Sequence, residues 1–137
     1  MAKPGTQEAL IYLMVVTSAA DREMTDIELG RIGTVIRTWP VFEDFDQRRL
    51  IPVAQKCQRL LAENEGLERV LTTARAAIPP RLHDTAYSAA FEVACSDMEM
   101  RLEEVRILQL VQRHLDLDEE TVAAIERAAK ARHRSLT

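Results

Sequence analysis

Glycine, proline and aromatic residues are scarce in this chain, and it holds only two cysteines. Four glycines and five prolines in 137 residues are too few for the frequent tight turns of a sandwich or barrel. Asn-Gly and Asp-Gly pairs are missing, as are alternating runs of β-branched residues, so nothing predicts a hairpin. Cys57 and Cys95 have no second cysteine at CxxC spacing and no neighbouring histidine, which argues against zinc. Both fall inside apolar helical patterns and are expected to be reduced, buried thiols. No apolar run approaches the roughly 20 residues needed to span a bilayer. Basic charge is not in excess either: 18 Lys and Arg against 22 Asp and Glu leave a formal charge of −4, and nucleic acid is not an expected partner.

What remains is a chain rich in Leu, Ile, Val and Ala with the 3.6-residue period of packed helices. The expected fold is all-α, about seven helices forming a single domain over residues 1–137, as a pseudo-duplicated bundle. The first helix runs from about Thr6 to Ala20 and is apolar on nearly every side, from Leu10 to Val16. A signal-peptide reading of this stretch fails on Glu8 and on the recurrence of its pattern at Ala86 to Ser96. The chain is therefore expected to be soluble and cytoplasmic.

Thr25-Asp26-Ile27-Glu28 is a capping box for the second helix, which carries Ile27, Ile32, Val35 and Ile36 and stops at Trp39-Pro40. Asp44 or Asp46 caps a third helix through Leu50, Val53, Ala54, Cys57, Leu60 and Leu61. Asn64-Glu65-Gly66 breaks it from a fourth, which ends at Pro79-Pro80. A fifth, over 81–95, is rich in small residues that let a partner approach closely. The sixth begins near Leu102, with Leu102, Val105, Leu108, Leu110 and Val111, and ends near His114-Leu115. Asp118 caps the seventh, whose inner face is read as Val122, Ile125, Ala128 and Ala129 and whose end carries Arg127, Lys130, Arg132 and Arg134. Trp39, Phe42 and Phe45 are expected to close the core. Gly30-x-x-Gly33 lies within a helix and is no phosphate loop; it would admit a neighbouring backbone.

A shift of 76 positions superposes Asp21 on Asp97, Glu23 on Glu99, Met24 on Met100 and Glu28 on Glu104; Val35 then falls on Val111 and Arg37 on Arg113. Each half thus runs from an apolar helix into an acidic corner with the pattern Asp-x-Glu-x-x-x-x-Glu. The first and fifth helices are expected to pair at the centre, while the separation of the corners stays open. Hard divalent cations such as Ca²⁺ or Mg²⁺ prefer six or more oxygens, so Asp21, Glu23, Glu28, Asp97, Glu99 and Glu104 are the candidate metal ligands. The competing account is structural: capping explains Glu28, and acids suit a first helical turn. The spacing is too short for an EF-hand and the required glycine is missing. His83, His114 and His133 are read as cap or surface residues. No nucleophile motif is present, no catalytic residues are assigned, and the chain is not expected to be an enzyme.

With these residues in view, the chain resembles the tellurite-resistance TerB family. The resemblance rests on Ala19-Ala20-Asp21-Arg22-Glu23-Met24-Thr25-Asp26-Ile27-Glu28 and on Cys95-Ser96-Asp97-Met98-Glu99 with Glu103-Glu104. It implies an all-helical duplicated fold and a bacterial cytoplasmic protein of tellurite or general stress resistance. It also implies a non-enzymatic role in protein–protein interaction, beside membrane-associated Ter components, since a related domain occurs in DnaJ-type co-chaperones. The same resemblance marks the acids of the two motifs as a possible divalent-cation site. The chain departs from the family pattern at Arg22 and Met98, where the family has glycine, and at Arg101, where it has a capping hydroxyl.

Overall fold

The computed structural model describes residues 3–20, 22–95 and 100–136, and among them there are seven α-helices and no strand. They are α1 (Thr6–Ala19), α2 (Asp26–Thr38), α3 (Leu50–Leu61), α4 (Gly66–Ala77), α5 (His83–Cys95), α6 (Leu102–His114) and α7 (Glu119–Arg132). Short 3-10 turns at Pro40–Phe42, Gln47–Arg49 and Pro80–Leu82 join them. The duplication is written into the helix ends. Adding 76 to the ends of α2 gives Leu102 and His114, the ends of α6, and adding it to Ala19 gives Cys95, the end of α5.

α1 is the axis of the molecule. Every residue from Ala9 to Ala19 is buried, and the helix packs on α5 most extensively, then on α4, α3, α6 and α2. A helix buried on all sides must satisfy its own polar groups, and Thr17 does so by donating to the Leu13 carbonyl at 2.8 Å. The closeness of α1 and α5 follows from composition, because α5 presents Ala86, Ala89, Ala90 and Ala94, all buried. α7 covers the other side of α5 through Val122 and Ala129, and Tyr87 of α5 donates its hydroxyl to Glu126 at 2.7 Å.

The caps set the boundaries. Gly5 precedes α1, and its N–H donates to Glu8 Oε1. Thr25 accepts from the Glu28 N–H at 3.1 Å while Glu28 accepts from the Thr25 N–H at 2.9 Å, the reciprocal box expected. Asp46 accepts from Arg48 N at 2.9 Å and starts the 3-10 turn that runs into α3, whereas Asp44 sits at φ 68°. Asp118 accepts from Thr121 N and starts α7. Phe42 and Phe45 are buried edge to face with centroids 6.0 Å apart, and Trp39, partly buried, packs against the core, so this loop closes it. Cys57 is buried and burial pushes its thiol up to about 12; Cys95 is half-buried, and neither forms a disulfide.

Several expected inner positions are corrected. Ile27 and Leu102 are exposed, 69% and 85%, and Val105 and Ala128 also face outward. In the first turns of α2 and α6 the inward position is N3, held by Glu28 and Glu104, so the apolar N2 and N1 residues are turned to solvent. His83 is not a surface residue. It is buried, with Nε2 2.9 Å from the Ile78 carbonyl and Nδ1 3.0 Å from the Leu115 carbonyl, and so fastens α5 to the ends of α4 and α6. His133 caps the end of α7 and meets Glu92 of α5, beside an Arg132–Glu92 ion pair at 2.7 Å.

The two glycines of α2 do not receive a neighbouring backbone. A Cβ on Gly33 would meet only side-chain atoms of Arg37 and Leu50, and one on Gly30 would meet nothing within 4 Å. Gly30→Ala is therefore expected to raise stability by about 0.5–1 kcal/mol, because alanine loses less backbone freedom on folding. Urea denaturation checks this; a lower midpoint would refute it.

Candidate functional site

Of the two acidic corners, the last acids, Glu28 and Glu104, meet across Arg101. The C-terminal end of α1 and the N-terminal ends of α2 and α6 converge, and two arginines and two glutamates fill the junction. Helix geometry explains the choice of charges. The last carbonyls of α1 lack partners and carry partial negative charge, whereas the first N–H groups of α2 and α6 are partially positive. The Ser18 carbonyl, in the last turn of α1, accepts from both Arg22 Nη2 and Arg101 Nη2, each at 3.2 Å. Glu28 and Glu104 serve the two N-termini.

Arg22 grips Glu28 with both nitrogens, Nη1 to Oε1 at 3.0 Å and Nη2 to Oε2 at 2.7 Å. Glu28 Oε1 also accepts from the Thr25 N–H and hydroxyl. Its side chain is 11% exposed. Burial alone would raise its carboxyl pKa, but the Arg22 hydrogen bonds, the Thr25 N–H and the Arg22 charge outweigh that and hold it below the ordinary glutamate value. The second corner is built differently. Arg101 is the N-cap of α6 and cannot accept a hydrogen bond there, so only half of the box survives: Glu104 Oε1 accepts from Arg101 N at 3.0 Å and from Nε at 3.3 Å. The Arg101 guanidinium then crosses between the halves, 3.9 Å from Glu28 Oε2. One side chain thus bridges both buried acids.

Of the six candidate ligands, Glu28 and Glu104 are brought together on either side of Arg101, and Glu23 is exposed. Asp21, Asp97 and Glu99 lie outside the described residues. Among the described residues no three His, Cys, Asp or Glu side chains are placed to hold a metal ion. Both oxygens of Glu28 and Oε1 of Glu104 are directed at guanidinium and N–H donors, so a divalent cation there would have to displace Arg22 and Arg101. The sequence pattern marked the acids but missed the bridging role of Arg101. The one available sign was a long cationic residue where the first corner has a capping threonine.

Beside the junction lies a groove of about 560 Å³. Val16, Leu61, Leu67, Ile107 and Leu110 supply apolar surface, and Arg22, Arg101 and Arg106 stand around it. Arg106 is exposed and has no hydrogen-bond or ion-pair partner among the described residues.

Fold and junction together define an all-helical protein built from two copies of one helix–corner–helix unit, closed by charges that complement the helix ends. Residues 7–127 match the family described as tellurite resistance protein TerB, and the chain belongs to that family. No curated protein and no solved structure matches it significantly. Among the described residues no helix is long and apolar enough to cross a membrane.

Proposed function

We propose that residues 1–137 act as one non-enzymatic, cytoplasmic helical module of tellurite or general stress resistance, working by binding another protein. Membership of the TerB family supports the resistance role. The observation that carries the interaction role is the groove beside the junction, apolar within and bordered by Arg22, Arg101 and Arg106 together with Glu103 and Glu104; Arg22 and Arg101 pair with buried acids, which leaves Arg106 as the cation open to a partner. Such a surface suits a partner segment with apolar side chains flanked by carboxylates, as a membrane-associated Ter component could present on its cytoplasmic face.

The test is complementation of a deletion strain under tellurite. The wild-type chain is expected to restore growth. Arg106→Glu, a reversal at an exposed helix position that spares the fold, is expected to weaken association about tenfold or more and to fail. Full rescue by Arg106→Glu would remove the groove from the mechanism, and unchanged tolerance on deletion would remove the resistance role.

A second reading is binding of Ca²⁺ or Mg²⁺ by the two acidic loops, of whose acids Glu28 and Glu104 lie on either side of Arg101. Calorimetric titration decides it: that reading fails if ions at about millimolar concentration produce neither heat nor a thermal shift.

A further inference from the structure

A second cavity, of about 190 Å³, lies between α3, α4 and the segment leading into α1. Its lining includes Tyr12 of α1, which is wholly buried. Among the described residues the Tyr12 hydroxyl is the one buried side-chain polar atom with no hydrogen-bond partner. Native proteins seldom leave such a group unmet unless a water, an ion or a ligand completes it. Burial, with Cys57 and Glu8 nearby, pushes the phenol above its usual pKa, so it keeps its proton and is available to donate.

The charges around this hydroxyl indicate what would complete it. The chain has only three lysines against 15 arginines, and two of the three, Lys3 and Lys56, line this cavity. Neither has a hydrogen-bond or ion-pair partner among the described residues. The remaining charges, Arg69 and Glu63, pair with each other at 3.4 Å and cancel. Three donors without hydrogen-bond or ion-pair partners, two of them cationic, thus line one small space, with the Thr73 hydroxyl also in its wall. A lysine ammonium is a compact charge with three rotatable donors, well suited to an oxyanion. Leu60 and Val70 supply an apolar wall.

We propose that this cavity binds a small oxyanion, which accepts a hydrogen bond from the Tyr12 hydroxyl and lies between the ammonium groups of Lys3 and Lys56. The anion is either inorganic or the head of a small organic phosphate whose body lies against Leu60 and Val70. This site is independent of the interaction groove and stands or falls without it.

The test is an amide-resolved NMR titration of the full chain at constant ionic strength with inorganic phosphate, sodium tellurite and phenyl phosphate. At least one anion is expected to give saturable shifts at Lys56, Leu60, Val70 and Thr73. Tighter binding of phenyl phosphate assigns the organic source, and equal or tighter binding of the inorganic ions assigns the other. Tyr12→Phe, which keeps the ring, and Lys56→Gln are each expected to weaken binding about tenfold. With no ligand present, Tyr12→Phe is expected to melt no lower than wild type, because it removes a donor that has no partner. Absence of saturable shifts at these amides with all three anions up to about 10 mM overturns the proposal. So does full retention of affinity in Tyr12→Phe, which would reduce the effect to surface charge.

Discussion

Gly66→Ala is expected to cost at least about 2–4 kcal/mol of stability, with the sign opposite to the same replacement at Gly30. α3 and α4 are joined by a turn so short that a Cβ on Gly66 would lie 2.4 Å from the Leu61 carbonyl oxygen and 2.5 Å from that of Leu60. Real Cβ atoms do not approach backbone so closely, and backbone cannot swing aside as a long side chain can. The turn has little slack. Glu65 already adopts the left-handed conformation at φ 57°, and Gly66 N–H is bonded to the Glu63 carbonyl at 2.9 Å. Relief must therefore come from moving the start of α4, which carries Val70, Leu71 and Ala74 into the core against α1. Urea denaturation of the Gly30 and Gly66 variants side by side measures both effects. A Gly66→Ala midpoint within error of wild type would show that the turn is looser than its geometry indicates.

What the sequence discloses and what it conceals divide along the range of the interactions. Local chemistry was legible: Thr25 with Glu28, Asp118, and the proline pair at 79 and 80 mark helix ends that depend on residues three or four apart. The 76-residue offset was legible for the same reason, since each copy repeats its own local code, and the ends of α2 and α6 obey it. Ile27 and Leu102 were misplaced because a first turn is only partly enclosed, and periodicity cannot tell which of its residues faces in. There the capping acid took the inner position. His83 looked like an ordinary first-turn residue because its two partners, the Ile78 and Leu115 carbonyls, are contributed by the ends of two other helices. Arg101 bonds to Ser18, 83 positions away, a distance over which spacing carries no information. The Tyr12 cavity is assembled from the α1 lead-in, α3 and α4 and leaves no pattern in any one of them.

Glu28→Ala is expected to cost about 2–3 kcal/mol, because one carboxylate both caps α2 and holds a bidentate arginine. Removing it takes the bidentate carboxylate away from Arg22 and leaves the Thr25 N–H without its acceptor. The pH dependence gives a sharper signature than the size of the loss. The Glu28 carboxyl is held below its ordinary value of 4.5 in the folded chain, so the unfolded state binds the proton more readily. Its contribution is therefore fully present above that value and is lost as the pH falls through the depressed folded pKa. Glu92 is also depressed, by Arg132 and His133 against its own burial, and adds to acid sensitivity in wild type and variant alike. The informative quantity is thus the difference between wild type and Glu28→Gln, which keeps the shape and removes the charge. That difference is expected to be largest near neutrality and to shrink as the solution is acidified below 4.5. A difference that does not change with pH would show that Glu28 acts through packing alone. The charge complementarity of the three helix ends would then not be what holds the two halves together.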